Sequence, residues 1–362
     1  MNTRINVLSG FGSKAAAAIL IEIEITSTSK KRFLLDAGGS LEDCAHKGWE
    51  FPKDLDAIII THDHQDHAGG LLDLSDNDQV PVYATPYVIS KIHKHLNFRT
   101  LPNKGTIDIC GITVTTGNNG HSYGGVWLHL GIGGGIFYSG DFSLESELYN
   151  FCLPPKSEVA LLDASYGLYE TSQQSNKERL LKSLSNQKPN LLPVPQTGRA
   201  LEMAYWFSCV NLDNWVLGDD CLNPSDVYFG DPSLVSSLAY LNMSLMRTRS
   251  FNDDASIILC GDPDGFGGDS ARLLTHKEKY NILYTGHLPE HARNAVSSSL
   301  ATFVRWNVHP RTEDLKKLVK YLNCKYAIPL FHNLEPISEW KKQIGDCIYN
   351  ANTLDFTHET RT

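Results

Sequence analysis

The spacing of apolar positions divides the chain into stretches of two different periods. Residues 15–25, AAAAILIEIEI, pass into an apolar–acidic alternation, the period-two mark of a half-buried strand. KKRFLLDAGG (30–39) is a short apolar strand halted by an acid and paired glycines. LDAIIIT (55–61) is a continuous apolar run of strand length, the pattern of a strand buried on both faces. VPVYATPYVISKIHKHL (80–96) reads as strand, proline-marked turn and helix, with HKHLNFR (93–99) as a solvated helix face. TIDICGITVTTGNNGHS (106–122) suggests a hairpin, GVWLHLGIGGGIFYSGDFS (125–143) a second strand pair, and EVALLDASYG (158–167) a strand ending in an acid.

Beyond that point the rhythm changes. SNKERLLKSLSNQ (175–187) is helical, NLLPVPQTG (190–198) is a strand running into a turn, and RALEMAYWFSCV (199–210) is helical again. ASIILCGDPDGFGGDSARLL (255–274) repeats strand, glycine-rich turn and helix, and NILYTGHLPEHA (281–292) opens with one more strand. Strands alternating with helices predict an α/β unit on a parallel sheet. The tail TEDLKKLVKYLNCKYAIPLFHN (312–333) is helix followed by strand.

Composition changes this picture little and bounds it usefully. The 362 residues predict one or two domains, and 41% hydrophobic with 20% charged residues is ordinary globular usage. A formal charge of −9 excludes a general basic footprint for nucleic acid, so any polyanion would be held by a local patch or by metal ions. The eight cysteines are scattered without CxxC pairs, as in a reduced, cytoplasmic protein. The N-terminal stretch carries no signal-peptide pattern, and nothing approaches an uninterrupted membrane span.

Chemistry concentrates where strands end. Asp36 follows FLLDAGG; His62, His64, Asp66 and His67 crowd into THDHQDH after a buried strand; His121 lies in NNGHSYGG, Asp141 in YSGDFS and His332 in IPLFHN. Imidazole and carboxylate are first-choice ligands of zinc-like ions. Side chains two apart in extended backbone point the same way, so His62 and His64 can reach one metal. Asp66 and His67, one turn later, can face a second, and a carboxylate such as Asp141 can bridge ions about 3.5–4 Å apart. Three histidines and two aspartates within six residues make a chance polar loop improbable.

These residues carry a family resemblance. THDHQDH resembles the HxHxDH signature of the metallo-β-lactamase superfamily, and the order Asp36, His62/His64/Asp66/His67, His121, Asp141, His332 is similar to its series of motifs. The finer resemblance is to the β-CASP nucleases. GHSYGGVWLHL…IFYSGDFS is similar to their GHxxGA…YTGDF passage, LLDASYG to ESTYG, LPVPQTGRALEM to P.F..GR.QE, and IILCGDPDGFGGDSARLL to SGM..GG. The resemblance implies an α/β fold: a metallo-β-lactamase αββα sandwich at 1–171 and 304–362, with a β-CASP cap inserted at 172–303. It implies one zinc on His62, His64 and His121, a second on Asp66, His67 and His332, Asp141 shared between them, and Asp36 supporting the ligand histidines. Manganese is the alternative to zinc. Asp163 matches the first acidic motif of the branch and His309 the second, which makes Asp66, Asp163 and His309 the expected catalytic residues. Pro310 and Arg311 replace the family's usual neighbours of that histidine, leaving its partner acid to Glu313 or Asp163.

The reaction this implies is hydrolysis of a phosphodiester bond in RNA or DNA, RNA before DNA. A hydroxide shared by the two ions attacks, and His309 protonates the leaving oxygen. Gly198 and Arg199 before a helix form a candidate anion site, and His287 a candidate substrate contact. GFGGDS (265–270) reads equally as a phosphate loop or as tight strand–helix packing, and His46, His129, His276 and His358 as structural. Two other functions stand beside the nuclease. One is a hydrolase of a small ester, thioester or lactam; the other is a non-catalytic scaffold in a nucleic-acid-processing complex. A homodimer or a protein partner supplying nucleic-acid affinity is compatible with the acidic balance. No nucleophile elbow of the GxSxG kind supports serine catalysis.

Overall fold

A computed structural model describes the chain except residues 1, 27–28, 41–46, 76–78, 244–245, 247–250, 253–254 and 358–362. Cys44, His46 and His358 therefore lie outside the described residues. β1 (Asn2–Ser9), β2 (Ala18–Thr26) and β3 (Ser29–Leu35) run antiparallel; β4 (Ala57–Ile59), β5 (Val82–Ala84) and β6 (Phe98–Thr100) add in parallel. A second sheet begins with β7 (Gly105–Ile109), β8 (Ile112–Asn118), β9 (Val126–Leu130) and β10 (Ile136–Tyr138), successively antiparallel, and continues with β11 (Val159–Asp163), parallel to β10. A third, all-parallel sheet follows, made of β12 (Asn190–Pro193), β13 (Trp215–Leu217), β14 (Ile257–Cys260), β15 (Asn281–Tyr284) and β16 (Thr302–Phe303) in the order β13-β14-β12-β15-β16. The chain then returns. β17 (Tyr326–Leu330) pairs in parallel with β11, and β18 (Thr353–Thr357) closes antiparallel on β1.

Alternation along the strands sorts their side chains into layers. On β3 and β4, Phe33, Leu35, Ala57 and Ile59 meet Leu128, Tyr138, Val159 and Leu161 of the second sheet in one core. The intervening Leu34 and Ile58 face outward, into a layer with Trp49, Leu71 and Val88. Likewise Ala160 and Leu162 of β11 face away from the sandwich, onto Leu315, Leu318, Leu322 and Trp340. Two sheets thus share a core and each carries helices on its outer face. This is the αββα sandwich, and it explains why the run AIII at 57–60 has no polar position: both faces of β4 are covered. The third sheet is also buried on both faces, with Leu192, Trp215 and Leu259 on one side and Leu191, Val216 and Ile258 on the other. Its first core is continuous with Tyr123, Leu148, Tyr149, Trp306 and Val308, so this sheet is seated on the sandwich by apolar contact.

Several elements differ from the sequence expectation. The helix after β5 ends at Lys91, and His93 to Leu96 is loop rather than a solvated helix face. The chain must turn there so that Phe98–Thr100 can pair with β5. The C-terminal strand β18 has no counterpart in the apolar pattern; TLDFT is too short and mixed to stand out, and its pairing with β1 is what orders it.

The paired glycines after β3 have a steric purpose. A Cβ at Gly38 would lie 2.0 Å from the carbonyl oxygen of Asp66 and 2.6 Å from the amide of Ala17. Backbone bonds cross this point: Gly38 N donates to Ala17 O at 2.8 Å and Ala17 N to Asp66 O at 2.7 Å. Gly38→Ala should cost about 1–3 kcal/mol, as overpacking typically does, because only backbone can yield. Denaturant unfolding would show it, and a stability equal to wild type would mean that the turn is looser than described.

Candidate metal centre

Most side chains of the cluster are presented beyond the carboxyl ends of strands. β3 delivers Asp36, β4 Thr61 and His62, β8 His121, β10 Asp141 and β11 Asp163. A four-residue helix, Gln65–Ala68, turns Asp66 and His67 back toward the sandwich. Ligand atoms of His62, His64, His121 and Asp141 lie within 4.8 Å of one another, as do those of Asp66, His67 and Asp141, and those of Asp141, Asp163 and His309. Asp141 is common to all three groups.

In the first group His64 Nδ1 is 3.2 Å from His62 Nε2 and 3.1 Å from His121 Nε2. Nitrogens bound at roughly 2.0–2.1 Å to one tetrahedral ion stand about that far apart. The remaining ring nitrogens are spoken for: His121 Nδ1 donates to Val308 O at 2.7 Å, and His62 Nδ1 lies 3.0 Å from Thr61 Oγ1. Asp141 Oδ2 completes the set at 3.9 Å from His62 and 3.8 Å from His121. Burial, then the neighbouring rings His67, His64 and His121, push His62 far below the usual histidine range, and burial does the same to His121 against the pull of Asp141. Neutral imidazole is the ligating form.

His67 is held differently. Its Nδ1 is 2.7 Å from Asp36 Oδ2, and its Nε2 faces Asp141 Oδ1 at 3.1 Å with neither atom in a hydrogen bond. A ring lone pair against a carboxylate oxygen in a dry site is tenable only with a shared cation, a proton or a metal ion. Burial works against a charged ring here, but Asp141 and Asp36 outweigh it and hold His67 well above its ordinary range. The residues of this cluster fit a divalent ion on that observation and on the chemistry of the first donor set.

His332 is not brought into the cluster. It packs on Trp340, 5.9 Å between ring centroids, and against Gly167, where a Cβ would lie 2.4 Å from its Nε2. The residue before it, Phe331, takes the inward place, with φ +67° and its ring 5.6 Å from that of His67. The pairing of β17 with β11 ends at Leu330, and because Leu330 and Phe331 both face the core, the left-handed backbone at Phe331 breaks the alternation that would have turned His332 inward. His309 does reach the centre. Its Nδ1 is 2.8 Å from Asp163 Oδ2 and 3.6 Å from Asp141 Oδ2. Asp163 is thus the partner acid, while Glu313 pairs with Lys317 at 2.8 Å and Arg311 with Glu145 and Asp314.

The centre opens into a cleft of about 1540 Å3 lined by Lys14, Asp66, Thr197, Arg199, His287 and His309 among others. The QTG turn reaches in from the third sheet: Thr197 O lies 3.5 Å from His64 Nε2, and a Cβ at Gly198 would meet His121 O at 3.1 Å. Arg199 is buried, its Nε without a partner. The 265–270 loop resolves as packing, since a Cβ at Gly268 would lie 2.6 Å from Gly261 O. Sequence reading missed Lys14, Thr61 and Tyr138. Thr61 opens THDHQDH without being a ligand type, and Lys14 and Tyr138 belong to no dense polar motif, though Lys14 does stand out as a lone charge before AAAAILI.

Residues 31–170 match the β-lactamase superfamily domain. The transcription termination factor FttA of Cenarchaeum symbiosum is 27% identical over 55% of this chain and 38% of its own length. That of Methanococcus maripaludis is 27% identical over 90% of this chain and 65% of its own. A ribonuclease of Thermus thermophilus is 28% identical over 48% of this chain and 49% of its own. The β-lactamase match and these relatives support the resemblance to the metallo-β-lactamase superfamily and its β-CASP branch. The chain spans only part of the length of each of these relatives. The crystal structure of a protein of unknown function from Enterococcus faecalis V583 shares this fold, with a TM-score of 0.59 at 13% identity over 98% of this chain and 100% of that one.

Asp36 gives the centre its first test. Asp36→Asn keeps the shape but weakens the hold on His67, and partners of this kind typically set 10–100-fold in metal affinity. A competition titration against a chromophoric zinc chelator should show a loss of that size; an unchanged affinity would reduce Asp36 to a purely structural anchor.

Proposed function

We propose that this chain is a metal-dependent hydrolase of phosphodiester bonds in nucleic acid, RNA before DNA. The observation that carries the reading is the Asp163–His309 pair, 2.8 Å apart, beside Asp141 and the three-histidine set. Zinc suits that donor set best, with manganese as the alternative. A bound ion would supply Lewis-acid stabilisation of charge on the phosphoryl group and a water nucleophile at neutral pH. We further assign residues 172–303 as a cap over a body formed by 1–171 and 304–362, the cleft between them receiving the substrate. The FttA and ribonuclease relatives support the substrate class by their names.

The chain's own residues then divide the work. Asp163 accepts from His309 Nδ1–H and fixes the ring, which leaves Nε2 for the leaving oxygen of a substrate in the cleft. Arg199, with an unpartnered Nε at the buried end of the cleft, is placed to hold a phosphate, and His287 lines the same wall. Thr197 and the glycine beside it bring the cap against His64 and exclude water from that side.

A second reading has one observation in its favour. Asp63, Asp219, Asp220, Asp262 and Asp264 also line the cleft, and such a rim repels a polyanion. It favours a small ester, thioester or lactam. Parallel rates on matched RNA and DNA oligonucleotides, a thioester and a lactam decide between them: turnover confined to the small substrates would overturn the nuclease reading.

His309→Ala should keep metal and fold while lowering the rate on an oligonucleotide by about 10²–10⁴-fold, the usual worth of a general acid. On bis-p-nitrophenyl phosphate, whose leaving group needs little protonation, the loss should be far smaller. Equal losses on both would make His309 a ligand or positioning residue. Arg199→Ala, by contrast, should chiefly raise KM for oligonucleotides and leave the metal content untouched; an unchanged KM would remove Arg199 from the substrate site.

A further inference from the structure

The ligating atoms form two unequal halves. His62, His64, His121 and Asp141 make a four-donor set, whereas Asp66 and His67 have only Asp141 as a third companion. Asp66 is moreover already engaged: Lys14 Nζ lies 2.8 Å from its Oδ2. Lys14 sits on the turn between β1 and β2, and that turn is fixed to the cluster by Ala17 N donating to Asp66 O at 2.7 Å. The ammonium rests over the Phe331 ring, 4.9 Å from its centroid, and Phe331 N donates to Gly10 O of the same turn at 2.6 Å. The same ring stands against His67 while His332 faces Trp340.

We propose that this centre holds a single metal ion, in the His62–His64–His121–Asp141 set, and that the Lys14 ammonium takes the place of a second cation beside Asp66. The proposal rests on the reading of the cluster as a metal centre. A divalent ion at Asp66 would have to displace an ammonium from its carboxylate. It would then find three donors, one of them shared with the first set, and the Phe331 ring beside His67. An ammonium supplies a fixed positive charge and N–H donors to a phosphoryl oxygen in the cleft, which Lys14 lines, without any ligand exchange.

The test is the zinc content of the full chain, stripped with chelator, saturated with Zn2+ alone, desalted and measured by elemental analysis. Wild type and Lys14→Arg should each retain one equivalent. Lys14→Met/Phe331→His, which removes the ammonium and restores a nitrogen ligand, should retain close to two. A Co2+ titration followed by visible absorption gives an independent count on Lys14→Met alone, should the double variant fail to fold: its absorption should keep growing past one equivalent where that of wild type stops. Two equivalents in wild type would overturn the proposal and leave the metal-centre reading standing. No zinc in wild type would overturn both. A count of one in every folded variant would overturn the role given to Lys14.

Discussion

Asp36 carries its carboxylate in a fully buried position, with φ +56° in a region that residues other than glycine seldom occupy. Such a charge is sustainable only when every oxygen is matched. Thr61 N and Thr61 Oγ1 donate to it at 2.7 and 2.8 Å, Tyr138 Oη at 2.7 Å, and His67 Nδ1 at 2.7 Å. The four donors come from the ends of β4 and β10 and from the helix that carries His67. One carboxylate thus clamps the two sheets together at the edge where the site is built. Its strained backbone is held by that network, and the network in turn fixes which nitrogen of His67 faces Asp141.

From that clamp the charge balance of the centre follows. Asp141 and Asp66 are both pulled below the usual carboxylate range against the opposing effect of burial, Asp141 chiefly by His67 and Asp66 chiefly by Lys14. Carboxylates, imidazoles and one ammonium are packed closely enough that each compensates another before any ion arrives. The three-histidine half is the exception. The rings of His62 and His121 are kept neutral by burial, so their lone pairs remain available.

The third sheet contributes little to this charge network and much to access. It meets the sandwich through apolar side chains such as Tyr149, Trp306 and Val308, and it brings only the Gln196–Thr197–Gly198 turn and Arg199 to the centre. Tyr149 Oη donating to Gly198 O at 2.9 Å pins that turn to the sandwich. Among the described residues no helix is long and apolar enough to cross a membrane, and the cleft opens onto the metal cluster.

The local sequence was enough to identify the strands that carry Asp36, His62, Asp141 and Asp163, because continuous apolar runs ending in acids and histidines are rare and each lies within one element. Density did the rest: five ligand-type residues in six positions have few structural explanations. What the chain could not state locally is which distant groups share a space. Whether Phe331 or His332 faces inward is decided where β17 ends, since the left-handed backbone at Phe331 puts it in the same core as Leu330 and breaks the period-two alternation that would have turned His332 inward. Choosing Asp163 over Glu313 as the partner of His309 likewise required the pairing of Glu313 with Lys317 on its own helix. Lys14 was invisible for the same reason. A lone lysine carries no motif, and only the fold of the β1–β2 turn onto Asp66 makes it part of the centre, since an ion pair is decided by distance in space and not along the chain.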